Sequence, residues 1–293
     1  MSALTYGEAA VIGLLQGVSE LVPVSSLGHS VLLPAIIGGR WSRDLSVSSP
    51  ESPYLAFIVG LHVATAAALV LYFRRDWVRI VSGLVTSVRD RRVETADQRL
   101  AWLLVLATIP VGLVGLLFEH AVRTVLSKPN PTAVFLMVNG VVLLVAERLR
   151  RQARTDGGDD VAADNRLAAM PVRRALLIGT SQIAALFPGI SRSGTTMAVG
   201  LTRGLGHEDA ARFSFLLATP VIAAAGLLKL PDLAGPLGNG IRGQVLLGSV
   251  LSFLGAYAAV AFLTRFFHTG SLRPFGVYCL VAGAASLVVL TAR

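Results

Sequence analysis

The sequence predicts an all-α polytopic membrane protein made of two inverted repeats, each a re-entrant helical hairpin followed by three transmembrane helices. Three observations predict it. The 293 residues are 54% hydrophobic and only 15% charged, with a mean hydropathy of +0.67, far from the averages of soluble domains. Two long apolar segments are interrupted near their middles by proline, glycine and polar residues, while six others are not. A single ungapped shift carries Gly13 onto Gly179, Gln16 onto Gln182, Ser25 onto Ser191 and Gly28 onto Gly194, so the chain contains a weak internal repeat whose two copies each begin with a broken segment.

The first repeat, residues 1–147, opens with the apolar stretch 9–37. Glu20, Pro23, Ser25, Ser26, Gly28 and His29 divide it into pieces too short to cross roughly 30 Å of hydrocarbon, so a re-entrant hairpin is the economical reading. Spans follow at about 55–73, 100–118 and 132–146, the first bounded by Tyr54 and Tyr72 as by an aromatic belt. Residues 148–174 form a polar linker whose run from Asp156 to Asp160 reads as a flexible loop from its charge and glycine content. The second repeat, residues 175–293, starts with another broken segment at 175–201 and continues with spans at about 211–230, 245–267 and 275–290. Met1 to Leu15 lacks the basic start of a signal peptide and belongs to the mature chain. The lone cysteine, Cys279, excludes an internal disulfide.

A re-entrant hairpin returns to its own side and three spans are odd in number, so the second repeat enters the bilayer upside down relative to the first. The hairpin tips then meet near the midplane, where irregular backbone is tolerated because it lines a cavity. Most of the 26 Lys and Arg lie in the loops after the first, third and fifth spans and beside the second hairpin. By the positive-inside rule these loops and the linker are cytoplasmic, and the first hairpin opens to the outer face. The same distribution explains the formal charge of +9 without nucleic acid, since aromatics are not interleaved with the basic residues.

Chemistry concentrates at the two breaks. In the second, Gly189, Ser191, Arg192, Ser193, Gly194, Thr195 and Thr196 place a planar guanidinium, four hydroxyls and unobstructed backbone N–H groups within eight residues, a set suited to phosphate oxygens. It is not a nucleotide P-loop, because Thr195 stands where that loop needs lysine. An arginine near the bilayer centre costs roughly 2.5–3.5 kcal/mol on insertion scales, so a charged partner or ligand is expected for Arg192. Glu20 is the one acid deep in an apolar segment. Gln16 lies one helical turn before it, and Ser25, Ser26 and His29 follow within nine residues, which together make a hydrolytic set: a carboxylate and amide to hold a divalent cation or water, a base and a hydroxyl nucleophile. His62, alone among titratable groups on its span, reads as structural.

Gln16-x-x-x-Glu20, the segment from Pro23 to His29 and the segment from Pro188 to Thr196 resemble the signature motifs of the bacterial undecaprenyl-diphosphate phosphatase family associated with bacitracin resistance; the likeness extends to Leu55–Phe73 and Ala107–Pro110 and so covers nearly the whole chain. The resemblance implies removal of the terminal phosphate from a polyprenyl diphosphate lipid in the bacterial plasma membrane, which recycles the carrier for cell-wall synthesis. It implies a divalent cation, Mg2+ or Ca2+, linked to Gln16 and Glu20. It also implies that Glu20, Ser26, His29 and Arg192 are catalytic and that Ser25, Gly189, Ser191, Ser193, Gly194, Thr195 and Thr196 join Arg192 in holding phosphate, at a site opening to the periplasmic face; a homodimer is among the assemblies to test. Leu27 departs from the pattern, where a small hydroxyl residue is common. Within this set the expectation is attack by Ser26 with His29 taking its proton. Lipid phosphatases with an SR-x5-H motif are excluded because the required histidine is Ala198. The alternative from another class is a transporter or flippase for a phosphorylated lipid or anion, which shares inverted repeats and broken helices but has no need of Glu20, Ser26 and His29 together.

Overall fold

The structure is a computed structural model that describes residues 4–45, 53–126, 128–150, 160–235 and 240–292; of the expected flexible run from Asp156 to Asp160, the residues before Asp160 lie outside them, and Asp160 is the first residue of a helix. The described residues are helical, with no strand among them. In chain order the helices are α1 (Tyr6–Leu21), α2 (Ser26–Ile37), α3 (Gly39–Asp44), α4 (Pro53–Tyr72), α5 (Arg74–Asp90), α6 (Ala96–Leu126), α7 (Pro129–Leu149), α8 (Asp160–Ala168), α9 (Val172–Ser181), a 3-10 turn Gln182–Leu186, α10 (Arg192–Thr202), α11 (His207–Ala234), α12 (Arg242–Phe266) and α13 (Arg273–Thr291). Five of them (α6, α7, α11, α12 and α13) contain stretches long and apolar enough to cross a membrane, and α4 carries a shorter apolar stretch, Gly60–Tyr72.

Both broken segments break for local reasons. α1 starts in a capping box: the Thr5 N–H donates to Glu8 Oε2 at 2.8 Å and the Glu8 N–H to Thr5 Oγ1 at 3.3 Å. It ends before Pro23, which cannot supply the next helical N–H. α2 then starts afresh on Ser25, whose Oγ accepts the Gly28 N–H at 3.2 Å while its backbone sits at φ 69°. In the second segment α9 passes through the 3-10 turn to Gly189 at φ 108°, a conformation glycine adopts freely. α10 starts on Ser191, whose Oγ accepts the Gly194 N–H at 3.1 Å. Ser25 and Ser191, matched by the internal repeat, therefore cap their helices through the same bond to the glycine three residues on.

The helices pack through residues that let backbones touch. A Cβ on Gly13 would lie 2.5 Å from the Gly248 carbonyl oxygen, and one on Gly17 would overlap the Ser252 carbonyl, so α1 and α12 run side by side in the same direction. Gly179 meets the Ala107 backbone in the same manner, pairing α9 with α6. α7 and α13 run in opposite directions, with Gly140 on Gly276 and Gly283 on Ala133. α4 follows α12 from Phe57 on Gly248 to Tyr72, whose Oη is 2.8 Å from Thr264 Oγ1. In apolar surroundings such contacts hold helices by close packing and by hydrogen bonds between small polar side chains.

Two segments are more ordered than the sequence suggests. The basic stretch after the first span is the helix α5, and the second half of the polar linker is α8 with the first turn of α9. An ionic network explains both. Asp164 of α8 accepts from Arg79 Nη2 at 2.5 Å and from Arg212 Nε at 2.8 Å; Asp76 receives the same two arginines at 2.7 and 3.0 Å, and Arg166 forks onto Asp209 at 2.9 and 2.8 Å. Charges of opposite sign far apart in sequence neutralise one another at one end of the bundle, and nothing in local composition announces it.

Candidate active site

The centre of the site is Glu20, in the last turn of α1, buried with only 9% of its surface exposed. Its Oε1 accepts from Arg192 Nη2 at 2.9 Å, so the deep acid and deep base of the two broken segments are one ion pair. Its Oε2 accepts from Gln16 Nε2 at 3.0 Å and from the Ser26 hydroxyl. A carboxylate surrounded by a guanidinium, an amide and a hydroxyl, all donating, has the acceptor-only character of its ionised form.

The two loops that carry these residues touch directly. A Cβ on Gly28 would lie 3.0 Å from Gly189 Cα, and Ser193 Oγ donates to the Val22 carbonyl at 3.4 Å. The N-termini of α2 and α10, which begin at Ser26 and Arg192, thus face a common region, and helix N-termini favour anions through their free N–H groups and dipole. Ser26 is the first residue of α2, which aims its hydroxyl at Glu20 rather than along the helix.

The expected residues divide into two sets. Gln16, Glu20, Ser26 and Arg192 converge within hydrogen-bonding distance. The other hydroxyls of the phosphate set are engaged locally: Ser25 and Ser191 cap their helices, Ser191 and Ser193 are 3.0 Å apart, and Thr195 and Thr196 each donate to the Arg192 carbonyl at 3.0 Å. They shape the start of α10 and hold the Arg192 backbone. His29 is not hydrogen-bonded to Ser26. Its Nδ1 is 2.7 Å from the Ser25 carbonyl, to which it donates, leaving Nε2 to accept from Tyr278 Oη at 2.8 Å; the two rings stack with centroids 5.7 Å apart.

Three residues of the site were not read from the sequence. His62 of α4 is one: its Nδ1 donates to the Ile58 carbonyl at 2.8 Å, which points Nε2 at Gln16 Nε2 (3.4 Å) and Glu20 Oε2 (3.7 Å). The reading of His62 as a residue apart from the site is corrected, and its signal was available, since a titratable group inside a span is a site candidate by default. Asn139 of α7 is fully buried and ties the loops together, its Nδ2 donating to the Pro23 carbonyl at 3.1 Å and its Oδ1 accepting the Ser191 N–H at 3.0 Å. Tyr278 had no signal, being one aromatic in an apolar span.

Asn139→Ala should leave the Pro23 carbonyl and the Ser191 N–H without these partners in a dry interior, at a cost of about 1–3 kcal/mol. Lower thermal stability in detergent together with reduced turnover is the expected result; unchanged turnover would mean that the loops hold their register without it.

A divalent cation finds one carboxylate here, Glu20, and one amide oxygen, on Gln16; among the described residues no cluster of three or more His, Cys, Asp or Glu side chains offers a cation site. Since Arg192 already faces Oε1, the donor set fits a hard cation only if a diphosphate contributes further oxygens, which is the usual manner of Mg2+ binding.

Residues 9–285 match the family model described as bacitracin resistance protein BacA. The chain is 61% identical, over 99% of both chains, to a protein of Mycolicibacterium paratuberculosis named undecaprenyl-diphosphatase. It is 52% identical to undecaprenyl-diphosphatase 1 of Frankia casuarinae, over 98% of this chain and 99% of that one, and 43% identical to undecaprenyl-diphosphatase 2 of Chromobacterium violaceum, over 96% and 97%. With the family model covering nearly its whole length, this chain belongs to the BacA bacitracin resistance family.

Proposed function

We propose that this chain is an integral membrane phosphatase that hydrolyses undecaprenyl diphosphate to undecaprenyl phosphate and inorganic phosphate, returning the lipid carrier to cell-wall synthesis. The observation that carries it is the Glu20–Arg192 pair with the Ser26 hydroxyl on the same carboxylate, where a nucleophile, its base and a phosphate-binding cation meet at two helix N-termini. An incoming terminal phosphate competes with Glu20 for the Arg192 guanidinium, whose fork matches two phosphate oxygens. The carboxylate so released takes the Ser26 proton, and Oγ attacks phosphorus as the bond to the bridging oxygen breaks and undecaprenyl phosphate leaves. His29, its Nδ1–H held by the Ser25 carbonyl, then takes a proton from the water that attacks the phosphoserine, and Glu20 returns its proton to Ser26 Oγ as the bond from Oγ to phosphorus breaks and inorganic phosphate leaves. Glu20 and Gln16 would hold a divalent cation, Mg2+ or Ca2+, jointly with the diphosphate, and the cation would supply charge neutralisation.

The proposed setting is the bacterial plasma membrane, with two inverted repeats whose hairpins, α1–α2 and α9–α10, enter from opposite faces, and with the site open to the periplasm. The antiparallel course of α7 and α13, equivalent spans in the two repeats, supports it, as do the matched caps Ser25 and Ser191. Two exposed positions test the arrangement in a Cys279→Ser background. Ser42→Cys should react with an impermeant thiol reagent in intact cells, and Val93→Cys only after the membrane is opened. Labelling of both, or the reverse pattern, would exclude it.

Release of inorganic phosphate from undecaprenyl diphosphate by the purified protein in detergent, with divalent cation and with chelator, tests the activity itself. A carrier or flippase moves lipid without releasing phosphate, so no release under any condition would favour that reading. Light scattering of the same sample reads whether the unit is a homodimer.

A further inference from the structure

α5 carries an apolar face that neither the site nor the core uses. Its inner face is anchored three ways: Gly83 crosses the start of α6 so closely that a Cβ would lie 2.9 Å from the Asp97 and Gln98 backbone, Trp102 Nε1 donates to Ser87 Oγ at 2.9 Å, and Asp76 and Arg79 join the ionic network with Asp164 and Arg212. The opposite face carries Val78, Val81, Val85 and Val88, exposed by 71%, 52%, 61% and 59%. Their spacing of three, four and three residues makes one stripe along the helix. Exposed arginines bracket it, Arg74 and Arg75 before and Arg89, Arg91 and Arg92 after, against only Asp90 and Glu94. With Arg and Asp at both ends and in its interior, α5 is not a span; it joins α4, whose apolar stretch Gly60–Tyr72 is shorter, to α6, which is long and apolar enough to cross a membrane.

We infer that α5 is an interfacial helix that seats the Val78–Val88 stripe in the acyl boundary of the leaflet where α4 ends and α6 begins, with its flanking arginines on anionic phospholipid headgroups. The commitment to lipid follows from the charge. Five arginines around an apolar stripe complement a negatively charged headgroup layer, and the same face on a second copy of the chain would set arginines against arginines. The inference adds a lipid contact outside the substrate site and is independent of the phosphatase reading.

The test uses full-length protein, Cys279→Ser, reconstituted in vesicles of phosphatidylglycerol or of phosphatidylcholine, with an environment-sensitive fluorophore on Val81→Cys or Val85→Cys and, as a control in the following turn, on Val93→Cys. Fluorophores at 81 and 85 should emit to the blue of the control, resist aqueous iodide, and be quenched by nitroxide lipids at the shallow depth of about 5–10 Å where interfacial helices bury their apolar face. Replacing Arg74, Arg75, Arg89 and Arg92 together by Gln should weaken that protection and abolish the advantage of phosphatidylglycerol over phosphatidylcholine. Iodide quenching at 81 and 85 equal to that at 93 would overturn the inference. So would energy transfer between labelled copies in place of lipid quenching, which would assign the face to a second chain. Phosphate release by the labelled proteins is measured alongside, so that its presence or absence is read separately from the lipid contact.

Discussion

Arg192→Lys should release phosphate from undecaprenyl diphosphate at least about 10²-fold more slowly than the native chain, the scale on which a single donor to developing charge counts in a preorganised site. An ammonium keeps the charge and can still pair with Glu20, so the protein should insert and fold. What it loses is the planar fork that holds two phosphate oxygens at once. Arg192 lies at the first position of α10, its backbone carbonyl held by Thr195 and Thr196, so a shorter donor group on a different stem does not reach the same point. The measurement is phosphate release at saturating substrate, with folding checked by thermal unfolding in detergent. Near-normal turnover in the lysine variant would reduce Arg192 to an ion-pair partner of Glu20 and remove the phosphate-clamp role.

Ser26→Ala and Glu20→Gln should each lower turnover by roughly 10³-fold or more, and the double variant should be no worse than either, because groups that act as a unit are not additive. The basis is the Ser26 hydroxyl donating to the same Glu20 oxygen that Gln16 holds, an arrangement in which the base is already at the proton it takes. His29→Ala should differ in kind. If His29 serves only the water-driven second step, that variant accumulates phosphate on Ser26, detectable by acid-stable labelling at that residue, and releases a single equivalent of undecaprenyl phosphate. Phosphate found on histidine in the native enzyme, or substantial turnover by Ser26→Ala, would transfer the nucleophile's role to His29. The Tyr278 hydroxyl on His29 Nε2 favours Ser26 over His29 as the nucleophile, since an imidazole whose lone pair is engaged must give up that partner before it attacks.

The helical membrane character, the two broken segments and the residues able to handle phosphate were all legible in the linear sequence, because each rests on a local rule. Twenty apolar residues fill a bilayer, proline and glycine end helices, and a buried Glu or Arg demands a partner. Even the capping serines were marked, by the shift that superposes Ser25 on Ser191. The linear order could not say which groups meet. Glu20 and Arg192 are distant in sequence, and their contact depends on Gly28 and Gly189 letting two loops touch and on Asn139 of a third helix binding both. Pairwise proximity decided that Ser26 belongs to Glu20 and His29 to Tyr278, although Ser26 and His29 are a helical turn apart and look like the natural couple. The same holds for His62, ordinary on its own span until α4 sets it beside α1, and for α5, whose order comes from arginines and aspartates on four helices. Composition and periodicity determine where a chain is apolar and where it breaks, since those depend on neighbours along the backbone; charge neutralisation and proton transfer act over about 3 Å between side chains, a distance only the packed helices define.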